Sequence, residues 1–424
     1  MDYLHDFHRV KGELVCEKVP VRRIVEEVGT PAYIYSYNTL VGHYRKLVEA
    51  FSAIKPLICF SVKANNNLAI LNLLVKEGAG LDIVSGGELH KALKAKCPPM
   101  RIVYASVGKH REEIEESLKK GIFCFNVESP AELRAIDAAA KLQRIRARVA
   151  LRVNPDVEAH THAYITTGKK ETKFGIDVKT AVGLVRDHKA YSSIEIIGIH
   201  LHIGSQITQA EPFIEAIERG SEVIKAGRGV GLEMAWINLG GGLGIIYKDE
   251  TPQTPLAFAA AVLPLLQSLK VRLILEPGRF IVGNAGILVS EVLYMKPGPN
   301  KSFAIMDAGM NDLLRPALYG AYHEVVSVRE PRPQNGHGLI DVVGPVCESA
   351  DVLARDRKLG DVQSGELLAI LGAGAYGSTM ASNYNGRLRP AEVLVRGNRW
   401  AVIRRRDTLL DLTRHDVVPH KLIG

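Results

Sequence analysis

The sequence predicts an α/β chain: a (β/α)8 TIM barrel over residues 31–285, then an all-β domain, barrel or sandwich, over 286–424. Three observations carry this. Eight short, β-rich apolar runs alternate with helix-patterned segments up to about residue 285; from 286 the runs become shorter and are separated by Gly, Pro, Asn and Asp turns; and nearly every run of the first part ends in a polar or glycine-rich motif. A doubly wound sheet is the alternative for the first part. Residues 1–30 fit no βα unit and are expected to join the β domain.

The eight runs are 57–62, 81–84, 101–105, 122–127, 146–153, 195–203, 235–239 and 271–275. A barrel builds its site from the loops at the carboxyl ends of its strands, so these ends are the places to look. The first run delivers Lys63, an amine where a buried strand emerges, able to form a Schiff base with a carbonyl compound. The second delivers Ser85-Gly86-Gly87-Glu88, the fourth Glu128 to Glu132, and the fifth Asn154-Pro155 with a His- and Thr-rich loop over 156–173, expected as a lid. The sixth carries His200 and His202, two apart and therefore on one face, and ends in Gly204-Ser205-Gln206. The seventh delivers Gly240, Gly241 and Gly242, whose backbone N–H groups suit a phosphate, and the eighth Glu276-Pro277-Gly278-Arg279.

Each motif has a bland counterpart: a tight turn for the glycines, an ion pair with Arg279 for Glu276, a zinc pair or core packing for the histidines. No third ligand stands at a short spacing from His200 and His202, so no metal is expected. Together, a Schiff-base lysine, a phosphate cradle, a carboxylate for a ring nitrogen and a histidine for stacking describe pyridoxal 5'-phosphate.

Composition narrows the class. The 424 residues exceed one ordinary core, and 46% hydrophobic with 24% charged content is that of a globular protein. The net charge of +8 is spread along the chain without a recognition motif, which favours attraction of small anions over nucleic acid. Five cysteines show no pairing or metal spacing, and no run approaches membrane-spanning length; a cytoplasmic protein with no membrane partner is expected. The β domain adds polar clusters that a scaffold does not require: Arg315 to Tyr319, Cys347-Glu348 and Tyr376. The residues alone leave Cys347 open between a small hydrophobe and a proton donor.

The motifs SVKAN, DIVSGGEL, NVESPAEL, RVNP, KFGI, GIHLHIGSQ, NLGGGLG, EPGR, RPALYGAYH, GPVCESAD, GAYG and MASNYN occur in this order. As a set, over about residues 30–412, the chain resembles the diaminopimelate decarboxylases, among the alanine-racemase-like, fold type III pyridoxal phosphate enzymes. The resemblance implies loss of carbon dioxide from the D-centre of meso-diaminopimelate to give L-lysine, with Lys63 anchoring the cofactor and His202 stacking on its ring. It implies Ser205, Gly240, Gly241, Gly242 and Tyr376 at the phosphate, with Pro277, Gly278 and Arg279 at the cofactor beside Glu276 at the ring nitrogen. Arg279, Arg315, Tyr319, Glu348 and Tyr376 would bind the amino acid substrate, and Cys347 would enter the neighbouring subunit's site in a homodimer with shared active sites. Phe60, Thr172 and the stretch 105–109 depart from the family pattern at supporting positions. A basic amino acid decarboxylase or a racemase of the same superfamily is the alternative.

Overall fold

The computed structural model describes residues 5–157, 173–330 and 338–419. The chain divides into two compact units, Val41–Val282 and Met1–Leu40 with Gly283–Gly424.

The first unit is a closed parallel barrel of eight strands: β1 (Leu57–Ser61), β2 (Gly80–Ile83), β3 (Ile102–Tyr104), β4 (Cys124–Val127), β5 (Ala147–Asn154), β6 (Ile194–His200), β7 (Trp236–Asn238) and β8 (Arg272–Leu275). Closure runs through β8 and β1, with Ile274 opposite Leu57, and neighbours pair in chain order around the ring. The strands read as continuous apolar runs because both faces are covered. Between them lie helices whose starts are set locally. Asn67 caps Leu68–Lys76, Ser85 caps Gly86–Lys94, Ser129 caps Pro130–Gln143 and Thr254 caps Pro255–Leu269, each side chain accepting a bond from the first turn. Such caps are worth about 1 kcal/mol each. Two of these starts are Ser-x-x-Glu, and in both the glutamate reaches back to the end of the preceding strand: Glu88 accepts from Val84 N at 2.8 Å and Glu132 from Glu128 N at 2.9 Å. These bonds fix the strand-to-helix turns that bear the site. β6 also passes β7 closely at Gly198, where an added Cβ would lie 1.8 Å from the Trp236 carbonyl oxygen.

The second unit is built around the long strand Gly286–Lys296. Its first half pairs with Ala32–Ser36 and Leu367–Ile370, its second half with Ser302–Met306, so it changes neighbours midway. Ala391–Arg396 pairs with both Ala32–Ser36 and Arg399–Arg404. Ile34, Ile287, Val289, Ala369 and Val393 form one buried cluster with Phe7, Leu14 and Ile24 from the N-terminal stretch. Two hydrogen-bonded neighbours thus place Ala32–Ser36 in this sheet, and the barrel unit starts at Val41, later than the boundary expected at residue 31. The loop expected as a lid, 156–173, falls at 158–172 outside the described residues. Among the described residues no helix is long and apolar enough to cross a membrane.

Candidate active site

Lys63 stands in a single helical turn, Val62–Ala64, directly after β1. Its Nζ lies 3.0 Å from Oδ2 of Asp82, a fully buried carboxylate in the middle of β2. The Ser61 hydroxyl is 2.6 Å from the same oxygen. Burial, and then the nearby Glu276, push the Asp82 carboxyl up, while Lys63 and Ser61 oppose the shift.

Glu276 follows β8 and is 3% exposed. Its Oε1 accepts from Asn126 Nδ2 at 2.8 Å and Asn238 Nδ2 at 2.5 Å, and its Oε2 lies 3.2 Å from His200 Nε2. These partners come from β4, β7 and β6. Burial alone would raise its carboxyl, yet His200, Lys63 and Asn238 hold it well below the usual carboxylate range. Glu276 is therefore ionised, whereas burial drives Asp82 the other way.

The glycine run after β7 lies against these groups. A Cβ on Gly240 would meet His202 Nδ1 at 2.4 Å, one on Gly241 the Glu276 carbonyl oxygen at 2.3 Å, and one on Gly242 the Gly204 carbonyl oxygen at 2.7 Å. Gly240 and Gly242 also hold φ of 65° and 96°. Gly241 N donates to His202 Nδ1 at 3.2 Å, which leaves Nε2 to carry the proton of the neutral ring. Loss of water, then Arg152, Lys63 and His200, hold His202 well below the usual histidine range. His202 is half-buried just past the end of β6, its ring centroid 6.2 Å from that of the buried His200. Ser205 Oγ accepts from Arg279 Nη2 at 3.0 Å, and Arg279 Nη1 donates to the Tyr247 hydroxyl at 2.7 Å. The barrel mouth thus brings Lys63, His202, Ser205, the three glycines, Glu276 and Arg279 together.

Several members of this network were not singled out from the sequence. Asp82, Asn126 and Asn238 share one signal, a lone polar residue inside an apolar strand. Lys109 has a fully buried side chain whose Nζ reaches Glu132 at 2.6 Å and the Asn126 carbonyl oxygen at 2.9 Å, steadying the strand end that presents the Asn126 amide. Arg152 pairs with Glu128 at 2.6 Å and lies over the Phe174 ring at 4.7 Å. Glu276 also supplies the third group that the spacing of His200 and His202 lacked: one donor atom from each lies within 4.8 Å of the others. Both Glu276 oxygens already face nitrogen partners.

The remaining candidates lie in the other unit. Arg315 opens the short helix Arg315–Tyr319, is buried, and has Nη1 2.7 Å from His323 Nε2. Tyr319 and Tyr376 are half-buried, Tyr376 at φ 57°. Cys347 and Glu348 are exposed on a loop organised by the buried Asp351, which accepts from Val346 N at 2.7 Å and Met310 N at 2.6 Å. Asn385 Oδ1 accepts from Cys347 N at 2.8 Å.

Residues 38–283 match the family model described as pyridoxal-dependent decarboxylase, pyridoxal binding domain. A diaminopimelate decarboxylase of Pseudomonas aeruginosa is 46% identical over 401 residues, covering 95% of this chain and 96% of that protein. The crystal structure of diaminopimelate decarboxylase from Helicobacter pylori complexed with L-lysine is 41% identical with a TM-score of 0.89, covering 93% of this chain and 98% of that one. The corresponding M. jannaschii structure, also with L-lysine, is 38% identical with a TM-score of 0.93 and 99% coverage of both.

One titration follows from the geometry at the second strand end. Burial pushes the Glu88 carboxyl up to about 7, against the Val84 amide, Lys63 and Lys91. Its proton is lost from the unfolded chain near pH 4.3 but from the folded one only near 7, so this group's favourable contribution is complete below the first value and fades as pH rises through the second. Thermal unfolding of wild type and Glu88→Gln should show the variant gaining relative stability between those values, then a constant difference above. A difference independent of pH would contradict this reading of Glu88.

Proposed function

The chain belongs to the diaminopimelate decarboxylases, and from that membership we infer its activity: a carboxy-lyase that uses pyridoxal 5'-phosphate to release carbon dioxide from the D-centre of meso-diaminopimelate, giving L-lysine. The observation that carries the residue assignment is the pairing, in one barrel mouth, of a half-buried lysine on Asp82 with an ionised Glu276 beside glycines that leave no room for a Cβ. These groups fit the cofactor. The Ser205–Arg279 pair presents hydroxyl and guanidinium donors suited to a phosphate, the glycine run allows close backbone approach with Gly240 N and Gly241 N held by Asn238 Oδ1 and His202 Nδ1, and Glu276 presents a carboxylate suited to a protonated ring nitrogen.

When bound, pyridoxal phosphate supplies an electron sink for the pair left on the α-carbon as carbon dioxide departs. In this reading Lys63 anchors the cofactor, and Asp82, pushed towards its neutral form by burial, takes up or returns a proton at the Lys63 amine. Glu276 keeps the ring nitrogen protonated because its own proton is held off by His200 and two asparagine amides. His202, a neutral flat ring, offers a stacking face. We read the His200–His202–Glu276 trio as serving the ring, because Glu276 Oε1 already accepts from two asparagine amides. Tyr376 completes the phosphate and substrate contacts, with Pro277 and Gly278 at the cofactor. Arg315 with Tyr319 suits the distal carboxylate and Glu348 the distal ammonium. Cys347, exposed on a loop that Asp351 holds in shape, returns a proton to the α-carbon of a second copy's substrate, which makes the working form a homodimer with shared sites. The described thiols are all unpaired, which supports a reducing compartment, the cytoplasm.

The test is the visible absorbance of the purified protein with added pyridoxal phosphate, together with carbon dioxide and lysine formation from meso-diaminopimelate. Wild type should show both, and Lys63→Ala should lose the band and the turnover; turnover unchanged in the variant would overturn the role of Lys63, and a racemised product without carbon dioxide would select the racemase reading. Arg315→Ala should raise KM for diaminopimelate roughly 10- to 100-fold, corresponding to about 1.5–3 kcal/mol for a charged hydrogen bond. Its effect on a monocarboxylate diamine such as ornithine should be much smaller. Equal losses for both substrates would remove Arg315 from recognition of the distal carboxylate.

A further inference from the structure

The barrel has a second concavity at the end opposite its mouth. A cavity of about 770 Å³ lies there, lined from the amino-terminal ends of all eight strands, within the range typical of small-molecule sites. Its floor is the apolar plug of the barrel, where Phe123 and Trp236 meet edge to face with ring centroids 5.0 Å apart above Cys59, Val103 and Ile274. Five cations line it, Lys55, Arg101, Arg146, Arg148 and Arg272, against two carboxylates, Glu195 and Glu233.

Charge compensation is incomplete. Arg148 lies 4.0 Å from Glu195, but Lys55, Arg101, Arg146 and Arg272 form no ion pair among the described residues. Two of the guanidiniums are stationed on the aromatic floor, Arg272 at 4.0 Å from the Trp236 ring centroid and Arg148 at 5.8 Å from that of Phe123. Arg146 is steadied by donating from Nη2 to the Ile194 carbonyl oxygen at 3.2 Å. Like charges gathered around a concave, low-dielectric wall focus a positive potential, and guanidiniums fixed by stacking have less rotamer freedom to lose when they bind a planar or tetrahedral oxyanion. The bland reading is that Arg148 and Arg272 only seal the barrel over Phe123 and Trp236. That accounts for two cations; Arg101 and Arg146 each donate to one carbonyl oxygen, those of Gly78 and Ile194, which leaves their charges and that of Lys55 without a carboxylate partner among the described residues.

We propose that the amino-terminal end of the barrel is a second ligand site, separate from the catalytic mouth, for a small polyanion bearing at least two phosphate or carboxylate groups. The concave shape suits a small molecule, and the Lys55, Arg101, Arg146 and Arg272 charges set the requirement for more than one anionic group. This inference does not depend on the assignment of catalytic residues.

The test is calorimetric titration of the full chain, saturated with pyridoxal phosphate so that the mouth is taken, with inorganic pyrophosphate and separately with citrate. At least one should bind with a submillimolar Kd that weakens steeply with added salt. In the double variant Arg146→Gln/Arg272→Gln the affinity should fall at least tenfold while carbon dioxide release is unchanged. If that variant fails to fold, Lys55→Gln, on an exposed turn, should weaken binding several-fold. Binding by pyrophosphate alone assigns phosphate chemistry, and by citrate alone carboxylate chemistry. No binding of either, or an affinity untouched by the substitutions, overturns the proposal.

Discussion

A carboxylate that stays ionised out of contact with water is the constraint around which the barrel mouth is arranged. Removing such a charge from solvent costs several kcal/mol unless donors replace the lost water. Glu276 has two, the amides of Asn126 and Asn238, with His200 Nε2 3.2 Å from its other oxygen; the three side chains stand on β4, β7 and β6. Only a closed ring of parallel strands brings these carboxyl ends around the end of β8, so the fold and the ionisation state of one side chain are coupled. Asp82, equally buried, is driven the opposite way because burial and Glu276 itself both disfavour its charge. The two carboxyls are thus pushed in opposite directions, while Lys63 favours the charged form of both.

Much of the barrel was legible in the sequence, since its strands, covered on both faces, stand out as apolar runs. Every expected run overlaps an observed strand, although the sixth stops at His200 instead of 203 because the chain turns to present His202 and Ser205. Lys63, Glu276 and the glycines could be read because each follows a run directly. Asp82, Asn126 and Asn238 could not, because a polar residue within a buried strand reveals its partner only when the strands are set side by side. The strand Ala32–Ser36 was not among the expected runs for a related reason: its partners, Gly286–Lys296 and Ala391–Arg396, are more than two hundred residues distant.

Support around the site follows one economy of design. The Ser-x-x-Glu turns cap a helix and pin the preceding strand end with the same two residues, and Glu132 then also neutralises the buried Lys109. In the sheet unit, Asp351 does the comparable work for the Cys347 loop by accepting two amides at once. The two ends of the barrel differ in kind: the mouth gives its buried carboxyls partners of its own, Lys63 and Ser61 for Asp82 and two amides for Glu276, while the amino-terminal end leaves most of its cations without carboxylate partners among the described residues.

The central claim is that Glu276, held as an anion by the Asn126 and Asn238 amides and the nearby His200, keeps a proton on the cofactor's ring nitrogen. It is tested most directly by the ¹⁵N chemical shift of ring-labelled pyridoxal phosphate bound to the protein at neutral pH, in wild type and in Glu276→Gln. A protonated nitrogen in wild type that becomes neutral in the variant is the expected result. A neutral nitrogen in wild type, or a protonated one in both, would contradict the account.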